Sequence, residues 1–155
     1  GLDEGRAEHE TSAANRAREI LRVQGCDEIF CEQVAHAIEA HRFRSGPVPQ
    51  TLEAQVLFDA DKLDAIGAIG VARAFAFGAY RGQKLWGMVP PDYADRPDGM
   101  EADPREHTAV HEFRFKLSKI KDRMFTATGK RLAAERHAFM VKFYEQLDQE
   151  VRGAV

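Results

Sequence analysis

Apolar residues recur along most of this chain at the three- and four-residue spacing of an α-helix. The pattern is clear near the C-terminus, where Val110, Phe113, Leu117 and Ile120 follow one another at that spacing. Almost no segment alternates apolar and polar residues with period two, so the predicted fold class is all-α, a helical bundle. The pattern predicts helices over residues 11–24, 27–41, 51–77, 108–128 and 130–151.

Residues 79–106 interrupt the helical pattern. Gly, Pro, Asp and Arg dominate there, as in P90-P-D-Y-A-D-R-P-D-G99. A connection of this length inside a compact domain is typically a lid, a binding loop or a disordered segment. We therefore expect one domain over residues 1–155 that carries a flexible loop at 79–106, and we expect a protease to cut this loop first.

Composition narrows the functional class. The 155 residues carry a formal net charge of -3, which does not favour bulk binding of nucleic acid. No apolar run approaches the roughly 20 residues of a membrane span. Cys26 and Cys31 match no zinc or redox spacing, so we expect free thiols and a cytoplasmic location.

The first candidate for chemistry is a group of three aspartates inside the apolar stretch V56-L-F-D-A-D-K-L-D-A-I66. A helical wheel places Asp59 on the apolar stripe and Asp61 on another face, while Asp64 follows near the end of the motif. Ionised carboxylates in apolar surroundings need a cationic partner. Two interpretations remain open on the pattern alone: solvated aspartates near a helix end, or a buried carboxylate that binds a divalent cation.

Histidines provide the second group of candidates. His41 ends the apolar stripe of the second predicted helix, where a histidine is more often hydrogen-bonded or a helix C-terminal cation than a metal ligand. His9 precedes the first predicted helix and is unremarkable by itself. His107 and His111 have the four-residue spacing that can bind a metal from a helix, but no carboxylate pattern supports that pair.

Basic residues form the third candidate feature. Lys116, Lys119 and Arg123 recur at helical spacing and are expected on one face of a C-terminal helix. Such a stripe is usually solvated, but beside a metal site it would suit a phosphate group.

Four segments together resemble the HD superfamily of metal-dependent phosphohydrolases. They are H9-E-T-S-A-A-N-R-A-R-E-I-L21, H41-R-F-R-S-G-P47, A60-D-K-L-D-A-I66 and the run H111 to M140. The last segment is similar to bacterial HD hydrolases related to YedJ and YpgQ, and the likeness extends from about residue 9 to 151.

The resemblance implies a metal site around the aspartates. Periodicity favours Asp59 as the inward residue, whereas the resemblance favours Asp61, which follows Ala60, and we adopt the latter. The implied ion is Mn, Mg or Fe. The implied metal ligands are Asp61, His41, His9 and Asp59; the implied catalytic residues are Asp61, Lys62 and Asp64; the implied substrate contacts are Arg42, Arg44, Lys116, Lys119 and Arg123.

The implied activity is hydrolysis of a nucleotide or another phosphorylated small molecule, with nucleoside triphosphate pyrophosphatase activity as one form of it. An HD-type di-iron oxygenase and a non-catalytic helical interaction module are the alternatives. A homodimer fits the expectation, whereas membrane association does not. HD proteins take their name from an adjacent His-Asp pair, and this sequence contains none. We therefore expect an N-terminally incomplete chain that is inactive by itself.

Overall fold

The computed structural model describes residues 4–42, 46–95 and 103–154, with side chains described from Thr11 onward. Within these ranges the protein has helices and no strands, which confirms the all-α prediction. The chain divides into two compact units, Gly1–Asp61 and Lys62–Val155. The α-helices are α1 (Glu4–Val23), α2 (Glu28–Ala40), α3 (Leu52–Asp64), α4 (Gly67–Tyr80), α5 (Ala109–Phe115) and α6 (Ala127–Val151), and the 3-10 helices are Tyr93–Asp95 and Leu117–Arg123.

The N-terminal unit is built on the packing of α1 against α2. Gly25 makes the turn between them with φ of +81°, a left-handed conformation that glycine adopts readily. Asp27 then caps α2, because its side chain accepts a hydrogen bond from the backbone N–H of Phe30 at 2.8 Å. The buried positions of α2 are Cys31, Ala35 and Ala40, whereas Phe30, in the first turn of the same helix, is exposed.

The predicted helix over residues 51–77 is wrong in one respect, because it is two helices with a break at Ala65 and Ile66. Ile66 has an extended backbone and a buried side chain, and Gly67 follows with φ of +78°. A Cβ at Gly67 would lie 2.9 Å from Cγ of Arg136 on α6. The break therefore depends on a glycine, which apolar periodicity does not reveal.

The C-terminal unit packs α4 against α5 and α6. Rings from all three helices form its centre: Phe113 stacks on Tyr144 with centroids 4.4 Å apart, and Phe75 packs edge-on to Phe143 at 5.9 Å. Thr126 caps α6 by accepting from the N–H of Gly129 at 2.9 Å, and α6 covers the predicted helix at 130–151.

The predicted helix at 108–128 is also wrong, because it contains the short helix α5 and then the 3-10 helix Leu117–Arg123. Lys116, between them, leaves the helical region with φ of -129°. The tighter 3-10 turn changes which side chains share a face.

The described parts of the predicted loop at 79–106 are attached to the C-terminal unit. Tyr93 is fully buried. The N–H of Lys84 donates to the carbonyl of Arg105 at 3.2 Å, and the Gln83 amide donates to the carbonyl of Pro104 at 3.1 Å. Residues 96–102 of this loop lie outside the described ranges, and preferential proteolysis of the loop stays a prediction.

A search of the described residues finds no single helix that is long and apolar enough to cross a membrane. Only α3 and α4 taken together reach that length and composition, and they are separated by the break at Ala65 and Ile66.

Candidate functional site

The three aspartates of α3 have different surroundings. Asp59 is almost completely buried, with 3% of its surface exposed, whereas Asp61 and Asp64 are exposed. Periodicity thus predicted the inward aspartate correctly, and the adopted expectation that Asp61 is the inward residue was wrong. Asp64 forms a surface ion pair with Arg73, and Lys62 is buried.

The histidines near these helices have defined hydrogen bonds. His41 caps the end of α2, and its Nδ1 donates to the carbonyl of Ile38, which leaves Nε2 as the nitrogen able to accept or to ligate. His36 uses Nε2 to accept from the N–H of Gln50 at 3.0 Å. The side chain of His9 and all of Arg44 lie outside the described part of the chain.

The described side chains that could bind a metal ion are those of His, Cys, Asp and Glu. Among the side chains that the structure describes, no three His, Cys, Asp or Glu residues lie close enough together to hold one. The described residues therefore do not form a metal site by themselves. Asp61 is exposed on α3.

The predicted basic stripe has separate local partners. Lys116 pairs with Glu112 at 3.2 Å, and the Nζ of Lys119 donates to the carbonyl of Ala94 while lying 5.6 Å from the centre of the Phe115 ring. Arg123 is exposed at the end of the 3-10 helix. Arg42 belongs to the N-terminal unit, just after α2.

A polar network in the C-terminal unit contains residues that the sequence did not indicate. Tyr93 Oη lies 2.6 Å from Nδ1 of His107, and Nε2 of His107 lies 3.2 Å from Oε2 of Glu112. Burial raises the pKa of Glu112, but the hydrogen bond from His107 and the charge of Lys116 outweigh it and hold that pKa at about 2.

His111 belongs to a neighbouring hydrogen-bonded pair, with Nδ1 2.9 Å from Oγ1 of Thr108. Both ring nitrogens of His107 have protein partners as well. The two histidines thus contribute hydrogen bonds at the start of α5.

A cavity of about 540 Å³ lies within the C-terminal unit. Its walls include Trp86, Met88 and Pro90 of the segment after α4, Phe113 of α5 and Tyr144 of α6. Two polar atoms of these residues, the indole N–H of Trp86 and the hydroxyl of Tyr144, are buried without a hydrogen-bond partner among the described residues. Periodicity places Tyr144 next to the apolar stripe, but nothing in the sequence indicates that its hydroxyl lacks a partner.

The comparisons place this all-α fold in the class of HD-domain proteins. Residues 2–66 match the family model of the HD domain. The chain is also 36% identical over 126 residues to YpgQ of Bacillus subtilis (strain 168). The chain belongs to the HD superfamily, in its YpgQ-like branch.

Solved structures agree with this assignment. The crystal structure of B. subtilis YpgQ matches with a TM-score of 0.68 and 33% identity over 90% of this chain and 64% of that one. The structure of B. subtilis YpgQ in complex with ADP matches with a TM-score of 0.65 and 32% identity, over 88% of this chain and 61% of that one. The structure of an HD-superfamily hydrolase from Bacillus thuringiensis matches with a TM-score of 0.66 and 30% identity, over 90% of this chain and 62% of that one.

The match with curated YpgQ covers 79% of this chain but 53% of that protein. The chain thus spans about half the length of the curated relative.

Proposed function

We propose that this chain is part of a metal-dependent phosphohydrolase that acts on a nucleotide, with nucleoside triphosphate pyrophosphatase activity as the specific form. The observation that carries the proposal is the HD-domain match over residues 2–66, which includes the A60-D-K-L63 motif. The similarity to a YpgQ structure that contains ADP supports a nucleotide as the substrate class.

In this proposal Asp61 is the carboxylate ligand of a divalent Mn, Mg or Fe ion. Asp61 is exposed on α3, and oxygen donors suit these hard cations. His41 is a candidate through Nε2, and His9 and Asp59 complete the candidate set. A bound ion of this kind activates water and polarises a phosphoryl oxygen.

Basic side chains would contact the phosphate groups. Arg42, Arg44 and Arg123 are the arginine candidates, since a guanidinium can bind two phosphate oxygens at once. Lys116 and Lys119 are the lysine candidates, but each would have to exchange its present partner, Glu112 or the Ala94 carbonyl, for the substrate. Lys62 and Asp64 would support Asp61 from the same motif.

The test compares two aspartates of the same helix in the full-length protein. Asp61→Asn keeps the side-chain shape but removes the charge, so we expect loss of bound metal and of phosphate release from nucleoside triphosphates. Asp64→Asn should have a much smaller effect on metal content, because in this proposal Asp64 supports the motif without binding the ion; it is also exposed and pairs with Arg73. Metal content is measured by mass spectrometry on purified protein.

Two outcomes would contradict the assignment. Normal metal loading of Asp61→Asn would remove Asp61 from the ligand set. Loss of metal from Asp59→Asn, with Asp61→Asn unaffected, would assign the metal to the buried aspartate.

A further inference from the structure

The turn between α1 and α2 holds Cys26 in a defined position. The N–H of Gly25 donates to the carbonyl of Arg22 and the N–H of Cys26 donates to the carbonyl of Leu21, both at 3.0 Å. With Gly25 in the left-handed conformation, these two bonds form the common glycine-dependent end of a helix. Cys26 is therefore fixed directly after α1 and directly before Asp27, the cap of α2.

Cys31 packs against Cys26 from the start of α2. It is the fourth residue of that helix, and a side chain there commonly packs on the residue just before the helix cap. The thiol of Cys31 donates to the carbonyl oxygen of Cys26 at 3.9 Å. The carbonyl carbon is bonded to the Cα of the same residue, so the sulfur of Cys31 lies beside the base of the Cys26 side chain.

The two thiols differ in their access to solution. Cys31 is fully buried, whereas Cys26 is partly exposed, and both are free thiols in this structure. Burial raises the pKa of the Cys31 thiol, and negative charge on Glu28 and Cys26 raises it further. Because the thiolate is the reactive form and an oxidant must reach it, Cys26 reacts with a dissolved oxidant first. The pair thus combines an accessible thiol with a buried thiol beside it.

We propose that Cys26 and Cys31 form a disulfide when the protein meets a small-molecule disulfide, and that this bond is a redox-sensitive cross-link of the turn between α1 and α2. The sequence spacing did not indicate it, because the pair joins a turn to a helix start and matches no redox motif. The proposal does not depend on the phosphohydrolase activity proposed above.

Oxidised glutathione supplies the balance of electrons. The Cys26 thiolate attacks one of its sulfurs, forms a mixed disulfide and releases one glutathione thiolate. Cys31 gives its proton to water and attacks the Cys26 sulfur, which forms the internal disulfide and releases the second glutathione. The cysteine pair loses two electrons and oxidised glutathione gains them.

Peptide mapping of the full-length protein tests this reaction. The protein is incubated with oxidised glutathione, alkylated and digested with trypsin. Both cysteines lie on one tryptic peptide, residues 23–42, because no Lys or Arg separates them. We expect this peptide to be lighter by two hydrogen atoms and to resist alkylation until dithiothreitol is added.

Single substitutions separate the two thiols. Cys31→Ala should stop the reaction at a glutathione adduct on Cys26, because the second thiol is missing. In Cys26→Ser the buried Cys31 should remain a free thiol. The oxidised wild type should melt a few degrees above the reduced protein, because the cross-link restricts the unfolded chain. Neither variant should show this difference, and far-UV circular dichroism checks that both fold.

Four results would overturn the proposal. They are a wild-type peptide that stays fully reduced, a glutathione adduct that persists on the wild type, a cross-link between the 23–42 peptides of two copies, and a melting temperature that oxidation leaves unchanged or lowers. The last result would mean that the bond forms only at the expense of the native turn. Metal loading at Asp61 plays no part in these measurements, so either proposal can fail by itself.

Discussion

The hydroxyl of Tyr93 and the Nδ1 atom of His107 lie 2.6 Å apart, and this contact joins the segment before residue 96 to the start of α5. Glu112 holds the other side of the imidazole, since a carboxylate accepts from Nε2–H. Nδ1 of a neutral His107 is then the acceptor, and Tyr93 is the donor. A fully buried tyrosine in a Pro- and Gly-rich segment is therefore fixed by a specific polar chain, Tyr93 to His107 to Glu112 to Lys116.

The three tyrosines of this chain provide a test of that contact. Tyr93→Phe should lower the free energy of unfolding by about 1 to 3 kcal/mol, because it leaves a buried imidazole nitrogen unpaired. Tyr144→Phe should be neutral or slightly stabilising, because its hydroxyl has no described partner to lose. Tyr80→Phe, with 86% of the residue exposed, is the control. Urea unfolding monitored by circular dichroism measures all three, and equal effects at Tyr93 and Tyr144 would contradict the hydrogen-bond assignment.

Glu112 should make stability depend on pH in the acid range. Its pKa is about 2 in the folded protein and 4.5 ordinarily, so the unfolded chain binds its proton first as the pH falls. The stabilisation is complete above pH 4.5 and is lost as the pH falls from 4.5 towards 2. Glu112→Gln should cost about 1 to 3 kcal/mol at pH 7 and flatten the profile in that window.

Unfolding by urea at a series of pH values checks this prediction. Glu135→Gln is the matched control, since Glu135 forms an exposed pair with Arg131 on α6. Surface pairs of this kind contribute little to stability. An equally steep acid profile in Glu112→Gln and in the wild type would exclude Glu112 as its source.

The sequence predicted those features that follow from repeated apolar spacing. The all-α class and helix α6 agree with the prediction, and periodicity also identified Asp59 as the inward aspartate. It did not predict the break before Gly67 or the 3-10 helix after Lys116. Both depend on single backbone conformations, and the surrounding residues Ala65, Ile66 and Leu117 are compatible with a continuous helix.

The candidate site could be predicted only in part, for a related reason. The resemblance identified the segment around Asp61, and that segment lies within residues 2–66, which match the HD-domain model. The roles of its residues stay predictions. The partners of Tyr93 and the unpaired hydroxyl of Tyr144 depend on contacts between residues distant in sequence. No local pattern encodes such contacts.

Lys119 provides a test of the proposed phosphate contacts. Lys119→Ala removes a charge, a hydrogen bond to the Ala94 carbonyl and a contact with the Phe115 ring. In the full-length protein we expect kcat/KM to fall about tenfold, as for loss of one charge-assisted contact, with a melting temperature lower by a few degrees. Lys142→Ala, at an exposed lysine of α6, should change neither quantity. Unchanged kinetics in Lys119→Ala, with a lowered melting temperature, would show that this lysine serves only to hold Ala94.

Alanine substitutions at Gly67 and Gly82 compare two costs at the break between α3 and α4. Both positions have backbone strain, and only Gly67 also packs against α6. Both have positive φ, of +78° and +67°, so alanine at either position meets backbone strain of roughly 1 to 2 kcal/mol. At Gly82 an added Cβ meets nothing within 4 Å, whereas at Gly67 it would lie 2.9 Å from Cγ and 3.1 Å from Cβ of Arg136. These atoms are near the backbone of α6, and the guanidinium of Arg136 donates to the carbonyl of Leu63, so the side chain cannot move away freely.

Gly67→Ala should therefore cost about 1 to 3 kcal/mol more than Gly82→Ala, as measured by urea unfolding, because the clash adds to the strain. Adding Arg136→Ala to Gly67→Ala should recover part of that difference, because it removes the Cγ contact and leaves the Cβ contact at 3.1 Å. Equal costs at the two glycines would show that α6 does not pack against the break.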